Sequence, residues 1–277
     1  MADIYGSHFE YGGTSSRKYN LIIANINTER FSQTSGTIEE ETIFSKSNKK
    51  KYFIQDDYSS SPLEFDVEFI TENEQPLSLP IKRQIEKWLL NRNDYCALYI
   101  DPVDDIDGEF YEVIDNEVKR IFINCRFINA EKIENSSGVI GYRATLKSDS
   151  PFLWQDSIKK IFELNNPAES TTSNIDVVID TDIDGFTYPI VKINMGTTAG
   201  DISIINHTDS DSRITKFVGL PTSAIVTMNG EINYISGQYY EKFYKQNFVR
   251  LLDGTNKLSI TGNVKSIELE WKNRRRF

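Results

Sequence analysis

The chain has 277 residues, enough for two hydrophobic cores of ordinary domain size. Aromatic residues make up 12% and charged residues 26%, which excludes a chain disordered throughout. The net charge of −10 argues against groove binding of duplex nucleic acid, which needs a basic stripe to neutralise phosphates.

The N-terminal run Met1-Ala2-Asp3-Ile4-Tyr5-Gly6 lacks the basic and apolar regions of a signal peptide. No apolar stretch reaches the ~18 residues of a spanning helix, so no membrane insertion is expected. Cys96 and Cys125 have no ligand-like neighbours at metal spacing, and a reduced, cytoplasmic site of synthesis is the simpler reading.

Taken in order, Phe9-Glu10-Tyr11-Gly12-Gly13 and Tyr19-Asn20-Leu21-Ile22-Ile23 open the first half. Glu39-Glu40-Glu41 is expected on a wet loop or strand edge, and Lys49-Lys50-Lys51 in a solvated loop. Tyr58-Ser59-Ser60-Ser61-Pro62 is a brief polar loop. In the next run, apolar Leu63, Phe65, Val67 and Phe69 alternate with Glu64, Asp66 and Glu68. That period of two buries one face of an antiparallel strand and wets the other.

Residues 71–76 form a polar connector. A helix follows, with Ser78 as cap, Pro80 at an early position, and Ile81, Ile85, Trp88 and Leu89 on one face. It is expected to end near Asn91 to Asn93, before a strand over Cys96 to Ile100 that Asp101-Pro102 stops. The alternation returns in Ile121, Ile123, Cys125 and Phe127, and in Ile140, Tyr142, Ala144 and Leu146. Glu134-Asn135-Ser136-Ser137-Gly138 between them is a hairpin loop.

Ser148 to Asp156 closes the first half, and a polar stretch from Asn165 to Asn174 leads into further strands. Pro189 to Met195, Ile202 to Ile205 and Ala224 to Met228 are extended. Asn229-Gly230 is expected to make a type I′ turn into Ile232 to Ile235, since both residues accept positive φ. Leu258 to Thr261 and Ile267 to Trp271 finish the set around Gly262-Asn263. With no amphipathic helix after residue 160, the second half is expected to be a β-sandwich.

Chemistry is sparse. His8 and His207 are the two histidines, and neither has a His or Cys partner at ligand spacing. No Gly-x-Ser-x-Gly elbow, Walker A loop or Gly-x-Gly-x-x-Gly fingerprint is present. Glycoside hydrolysis needs two carboxylates about 5–10 Å apart, and no pair stands out. The sharpest cation-like run is Asp180-Thr181-Asp182-Ile183-Asp184-Gly185. Val191 stands at the twelfth position, where an EF-hand needs a carboxylate, so an acidic turn is the simpler reading. Asp104-Asp105-Ile106-Asp107-Gly108 is weaker, with Val103 at the first ligand position. No catalytic, cofactor-binding or metal residues are assigned, and the chain is read as a non-enzyme. Arg274-Arg275-Arg276 is expected in a solvated tail.

Two longer runs are more distinctive. One is Ser148-Asp149-Ser150-Pro151-Phe152-Leu153-Trp154; the other is the closing Arg250-Leu251-Leu252-Asp253-Gly254-Thr255-Asn256-Lys257-Leu258-Ser259-Ile260-Thr261-Gly262. With the order of strands, the Trp88 helix and the Leu98-Tyr99-Ile100-Asp101-Pro102 strand end, the chain resembles the distal tail protein family of long-tailed bacteriophages over nearly its whole length.

That resemblance implies a mainly β protein. Residues 1–156 would be an N-terminal, β-sandwich-like ring-forming domain with one α-helix, and residues 157–277 a C-terminal galectin-like β-sandwich. It implies a homohexameric ring in the virion, joining the tail tube protein to the tail-tip hub or tail-associated protein, near the tape-measure protein. In some phages such rings carry receptor-binding proteins. DNA would pass through the ring without specific binding, and no cofactor is implied. The rival reading is a carbohydrate-binding β-sandwich for host-surface adhesion, with Tyr234, Tyr239, Tyr240, Phe243 and Tyr244 stacking on sugars. Interface or core packing of the Tyr239–Tyr244 cluster is the plainer alternative.

Overall fold

In the computed structural model, which describes residues 6–26, 38–44, 51–58, 62–101, 110–210, 213–244 and 247–276, the alternating runs of the first half pair with one another. The chain divides into two compact units: Met1–Gln155 with Arg275–Phe277, and Asp156–Arg274.

The first unit contains strands β1 (His8–Tyr11), β2 (Thr14–Ser15), β3 (Leu21–Ile26), β4 (Ile38–Phe44), β5 (Lys51–Tyr58) and β6 (Glu64–Thr71). Helix α1 (Leu79–Ile85) follows, then β7 (Cys96–Asp101), β8 (Tyr111–Ile114), β9 (Glu117–Asn135), β10 (Gly138–Ser148) and β11 (Leu153–Gln155). Its main sheet runs β2-β1-β7-β9-β10-β6-β3, with β8 and β11 attached to β9. β4 and β5 form a separate hairpin. The neighbouring runs are in register: Phe69 faces Tyr142, Val67 faces Ala144, Phe65 faces Leu146, and Leu146 faces Phe127 on the far side. All of these are buried in one core. Each alternation therefore supplies one row of the same apolar layer.

Gly141 sits where β10 crosses close to β6. A Cβ there would lie 2.0 Å from the Phe69 carbonyl oxygen, so only glycine fits.

The helix packs as expected at its C-terminal half. Ile85, Trp88 and Leu89 are buried, while Ile81 is exposed at the first turn. Ser78 is the N-cap residue without a side-chain hydrogen bond, and Pro80 lies in the first turn. After Ile85 the coil widens to a π turn over Glu86–Leu90, closed by the Asn91 amide on the Glu86 carbonyl at 3.0 Å. Trp88 stacks on Phe9 at 5.7 Å and donates its indole N–H to the Tyr11 carbonyl at 2.8 Å. Ile81 shares the face of Ile85 and Trp88 but sits two turns before that contact, in the first turn, where it is left exposed.

The second unit contains β12 (Ile158–Glu163), β13 (Thr172–Ile179), β14 (Ile190–Met195), β15 (Gly200–Asn206), β16 (Ile214–Leu220), β17 (Ile225–Asn229), β18 (Tyr234–Ile235), β19 (Phe243–Tyr244), β20 (Gly254–Thr261) and β21 (Val264–Trp271). Two five-stranded sheets result, β12-β21-β14-β17-β18 and β13-β20-β15-β16-β19, a sandwich-like pair. Ile267, Ile193 and Val226 share one register row of the first sheet and are fully buried. Ile260 and Ile204 do the same in the second. Gly262, at φ +133°, and Asn263 carry the chain from β20 in one sheet to β21 in the other.

The type I′ expectation fails at Asn229-Gly230. β17 and β18 pair Asn229 with Tyr234, so the loop is four residues long and its left-handed residue is Asn233. Gly230 is needed for space instead, because a Cβ there would lie 2.6 Å from the Tyr188 ring and 2.8 Å from Phe248 Cβ. Asn229 Oδ1 accepts from the Glu231 amide at 3.0 Å, which builds the loop from a side chain. A two-residue loop with both residues left-handed occurs between β8 and β9, at Asp115 (φ 52°) and Asn116 (φ 66°).

Candidate functional site

The residues with chemical potential are spent on holding the fold. His8 lies on β1, its Nδ1 3.1 Å from the Leu21 carbonyl oxygen. His207 Nε2 is 2.6 Å from Ser259 Oγ, and that hydroxyl donates to Asn174 Oδ1 at 2.6 Å. Cys96 and Cys125 are both free thiols, and Cys125 is buried in the first core. Among the described residues, no group of three or more His, Cys, Asp or Glu is placed to hold a metal ion.

Two sequence runs that looked unrelated meet in the second unit. The Asp180–Gly185 loop closes around Arg274. Thr181 Oγ1 donates to the Arg274 carbonyl at 2.9 Å, the Asp182 amide donates to the same oxygen at 3.0 Å, and Arg274 Nη2 donates to the Ile183 carbonyl at 3.4 Å. Burial lowers the pKa of the Arg274 guanidinium below the usual arginine value, against the opposing pull of Glu231 and Asp184. Gly185 adopts φ +116° beside that guanidinium.

The solvated-tail expectation for Arg274-Arg275-Arg276 is thus corrected, with Arg276 alone exposed. Arg275, in the terminal strand β22 (Arg274–Arg275), belongs to the first unit and is 4% exposed. Its Nη2 donates to Glu112 Oε2 at 2.6 Å, and Gln155 Nε2 donates to the same oxygen at 2.5 Å. Gln155 is the last residue of the first unit before the chain leaves it, and Arg275 is the first to return. One carboxylate on β8 therefore clamps both crossing points.

The two distinctive runs have the same kind of role. Ser148 Oγ accepts from the Leu63 amide at 2.7 Å and donates to the Ser150 carbonyl at 2.5 Å, and Asn124 Nδ2 donates to Asp149. Phe152 meets Trp154 edge to face at 4.9 Å as the chain enters β11. In the closing run, Arg250 makes two 2.8 Å bonds to half-buried Asp209, Asp253 Oδ1 accepts from the Thr181 amide at 3.0 Å, and Gly254 takes φ +84°. Asn256 is fully buried. Its Oδ1 accepts from the Leu252 amide and from Asn206 Nδ2, each at 2.9 Å, and its Nδ2 donates to the Leu252 carbonyl at 2.7 Å.

Exposed surface is where contact with other molecules is possible. On hairpin β8–β9, Val113 and Val118 are register partners and are 64% and 62% exposed, beside exposed Tyr111. Hairpin β4–β5 sets Glu39 opposite Asp57 and Glu40 opposite Asp56. The edge of the main sheet at β3 is covered in part: Ile23 donates to the Ser7 carbonyl at 2.9 Å and accepts from the Gly6 amide at 2.8 Å. Of the Tyr239–Tyr244 cluster, Tyr239 and Phe243 are core, Phe243 stacking on Phe217 and Phe248 at 5.0 Å each. Tyr234, Tyr240 and Tyr244 are about half exposed, at 48%, 53% and 53%. The Asp104–Gly108 run, Lys49, Lys50 and Ser59–Ser61 lie outside the described residues.

Two compact β-rich units, with apolar side chains presented on a hairpin of the first, define a two-unit β protein. The chain belongs to a family of phage tail proteins: the family model for a phage tail protein N-terminal domain matches residues 4–150, and that for a phage tail C-terminal domain matches residues 155–271. Its fold is similar to the Dit protein of phage SPP1, described as a paradigm of the hub adsorption apparatus in phages infecting Gram-positive bacteria. The two share 11% identity, 97% of this chain and 98% of that chain are covered, and the TM-score is 0.65. Similarity also extends to baseplate structures of phage P2 in the activated conformation. With calcium the values are 8% identity, 96% and 98% coverage and TM-score 0.51; with strontium they are 9%, 96%, 98% and 0.52. Comparison with the curated proteins finds no match.

Proposed function

We propose that this chain forms a ring, most simply of six copies, at the distal end of a phage tail, where it joins the tail tube to the tail-tip hub. The observation that carries this reading is the end-to-end likeness to the SPP1 Dit protein, which spans both units rather than a single sandwich. The first unit, residues 1–156 in the sequence division, forms the ring. The second, residues 157–277, is a galectin-like decoration on it. Each copy meets two neighbours through different surfaces, and the contacts close. The exposed β8–β9 hairpin, with Tyr111, Val113 and Val118, supports such contacts. The net charge of −10 suits a channel through which DNA slides without being held. Tube, hub and tape-measure proteins are the expected partners, and receptor-binding proteins attach through them or directly. Mass measurement in solution and negative-stain electron microscopy test the reading. Closed rings of six are the expected result. A monomer that persists at high concentration and fails to bind co-expressed tube or hub protein overturns it.

The exposed Tyr234, Tyr240 and Tyr244 favour a second reading, glycan binding by the second unit. Its test is glycan-array binding that Tyr240→Ala or Tyr244→Ala abolishes. Tyr239→Ala does not serve, because Tyr239 is buried.

A further inference from the structure

We propose that Cys96 and Cys125 form a thiol–disulfide exchange site that reacts with low-molecular-weight disulfides and closes into a covalent bond between β7 and β9. This goes beyond the ring reading and does not depend on it.

The two cysteines are direct register partners across the antiparallel β7–β9 pair. The Gly12 amide donates to the Ala97 carbonyl at 3.0 Å, so the backbone polar groups of Ala97 face β1. Those of Cys96, one residue away, therefore face β9. On the other strand, Asn124 turns its carbonyl away from β7, toward the Asp149 amide at 3.0 Å, which leaves Cys125 facing β7. Cys96 and Cys125 are thus a hydrogen-bonded pair, with Cα atoms about 5.5 Å apart. Disulfides bridge Cα separations of about 4.4–6.8 Å, most often near this value. Opposed residues of an antiparallel pair share a face, and both side chains pack on the same core.

The environments differ in a way that orders the chemistry. Cys96 is half-buried, and Arg92 Nη1 donates to its sulfur at 3.2 Å. Arg92 is itself fixed by an Nε bond to the Trp88 carbonyl at 3.1 Å and by stacking on the Tyr11 ring at 5.5 Å. Cys125 is fully buried, and burial first, then neighbouring Cys96, pushes its thiol up. Cys96 is therefore the attacking group and Cys125 the resolving one.

With glutathione disulfide as the oxidant, the Cys96 sulfur attacks one glutathione sulfur. A mixed disulfide forms, and one glutathione leaves as its thiol with the Cys96 proton. The Cys125 sulfur then attacks the Cys96 sulfur, the Cys96–glutathione bond breaks, and the second glutathione leaves with the Cys125 proton. Two cysteine thiols are oxidised, and one glutathione disulfide is reduced to two thiols.

The test uses the full chain, reduced and then exposed to glutathione disulfide. Samples are quenched in acid, denatured, alkylated with iodoacetamide and read by intact and peptide mass spectrometry. The expected course is a transient glutathione adduct on Cys96, then loss of both alkylation sites and a peptide joining Cys96 to Cys125. Cys125→Ser should stop at a lasting Cys96 adduct, and Cys96→Ser should leave Cys125 unreacted while folded. A wild-type chain in which both thiols are still alkylated, or in which Cys96 keeps its adduct indefinitely, overturns the proposal. The wild-type result is decisive even where a variant fails to fold.

Discussion

Removal of the Glu112 carboxylate tests the clamp on the two chain crossings. The Arg275 side chain is 5% exposed and Glu112 31%, so the pair lies between the buried and surface limits. Breaking a fully buried pair costs about 3–5 kcal/mol, and an exposed one contributes below about 1 kcal/mol. About 2 kcal/mol is the expected share for the arginine contact. The Gln155 amide loses its acceptor as well, for about 1 kcal/mol more. Glu112→Ala should therefore destabilise the first unit by about 2–3 kcal/mol. At about 2–4 °C per kcal/mol for a unit of this size, its melting midpoint falls by roughly 4–12 °C. Glu112→Gln, which keeps the shape and loses the charge, should cost about half as much. Calorimetry gives the midpoint. Hydrogen exchange at Ile121 and Gln155, register partners on β9 and β11, locates the loss. An unchanged midpoint and unchanged exchange in Glu112→Ala would falsify the clamp.

Further outcomes follow from other contacts. Gly141→Ala places a methyl group against the Phe69 carbonyl and should destabilise the first unit by about 3 kcal/mol or more, read by urea denaturation; a cost below about 1 kcal/mol contradicts the close approach. Asn256→Ala leaves the Leu252 amide without its acceptor and removes the bond to Asn206, for an expected loss of about 2–3 kcal/mol; near-neutral behaviour would mean the buried network is dispensable. Asp201 is held below the usual carboxylate range by Lys216 at 2.9 Å and by the Gly219 amide at 2.9 Å. A lowered acid pKa stabilises above the unfolded value, about 3.9, and that stabilisation is lost as pH falls through the folded value. The wild-type advantage over Asp201→Asn, under about 1 kcal/mol at this exposed site, should therefore shrink to nothing in strong acid. A difference that stays constant with pH contradicts the assignment.

The periodic parts of the fold are legible because burial on one face leaves a period of two. Phe65, Val67 and Phe69 alternate in the sequence, and they alternate in the sheet. The helix is legible at Ile85, Trp88 and Leu89, where a large indole fixes the packing, and less so at Ile81, which has the right spacing but stays exposed in the first turn. Turn chemistry is less transferable. Asn229-Gly230 has the favoured residues, but Tyr188 and Phe248 use that glycine for room, while Asp115-Asn116 makes the two-residue turn. Long-range polar pairings leave no local trace. Nothing near Asp180 announces that its loop will enclose Arg274, and nothing in Arg274-Arg275-Arg276 says that Arg275 is buried and Arg274 half-buried. Asn256 likewise resembles any polar loop residue until Leu252 and Asn206 are seen around it.

The return of Arg275 to the first unit sets an order on biosynthesis. Residues 156–274 must be made between the Gln155 and Arg275 halves of the Glu112 clamp. At roughly 5–20 residues per second, that interval lasts roughly 6–24 s. The first unit begins to emerge from the ribosome before the second, yet is completed after it. The clamp of Glu112 is set only after the second unit has been made.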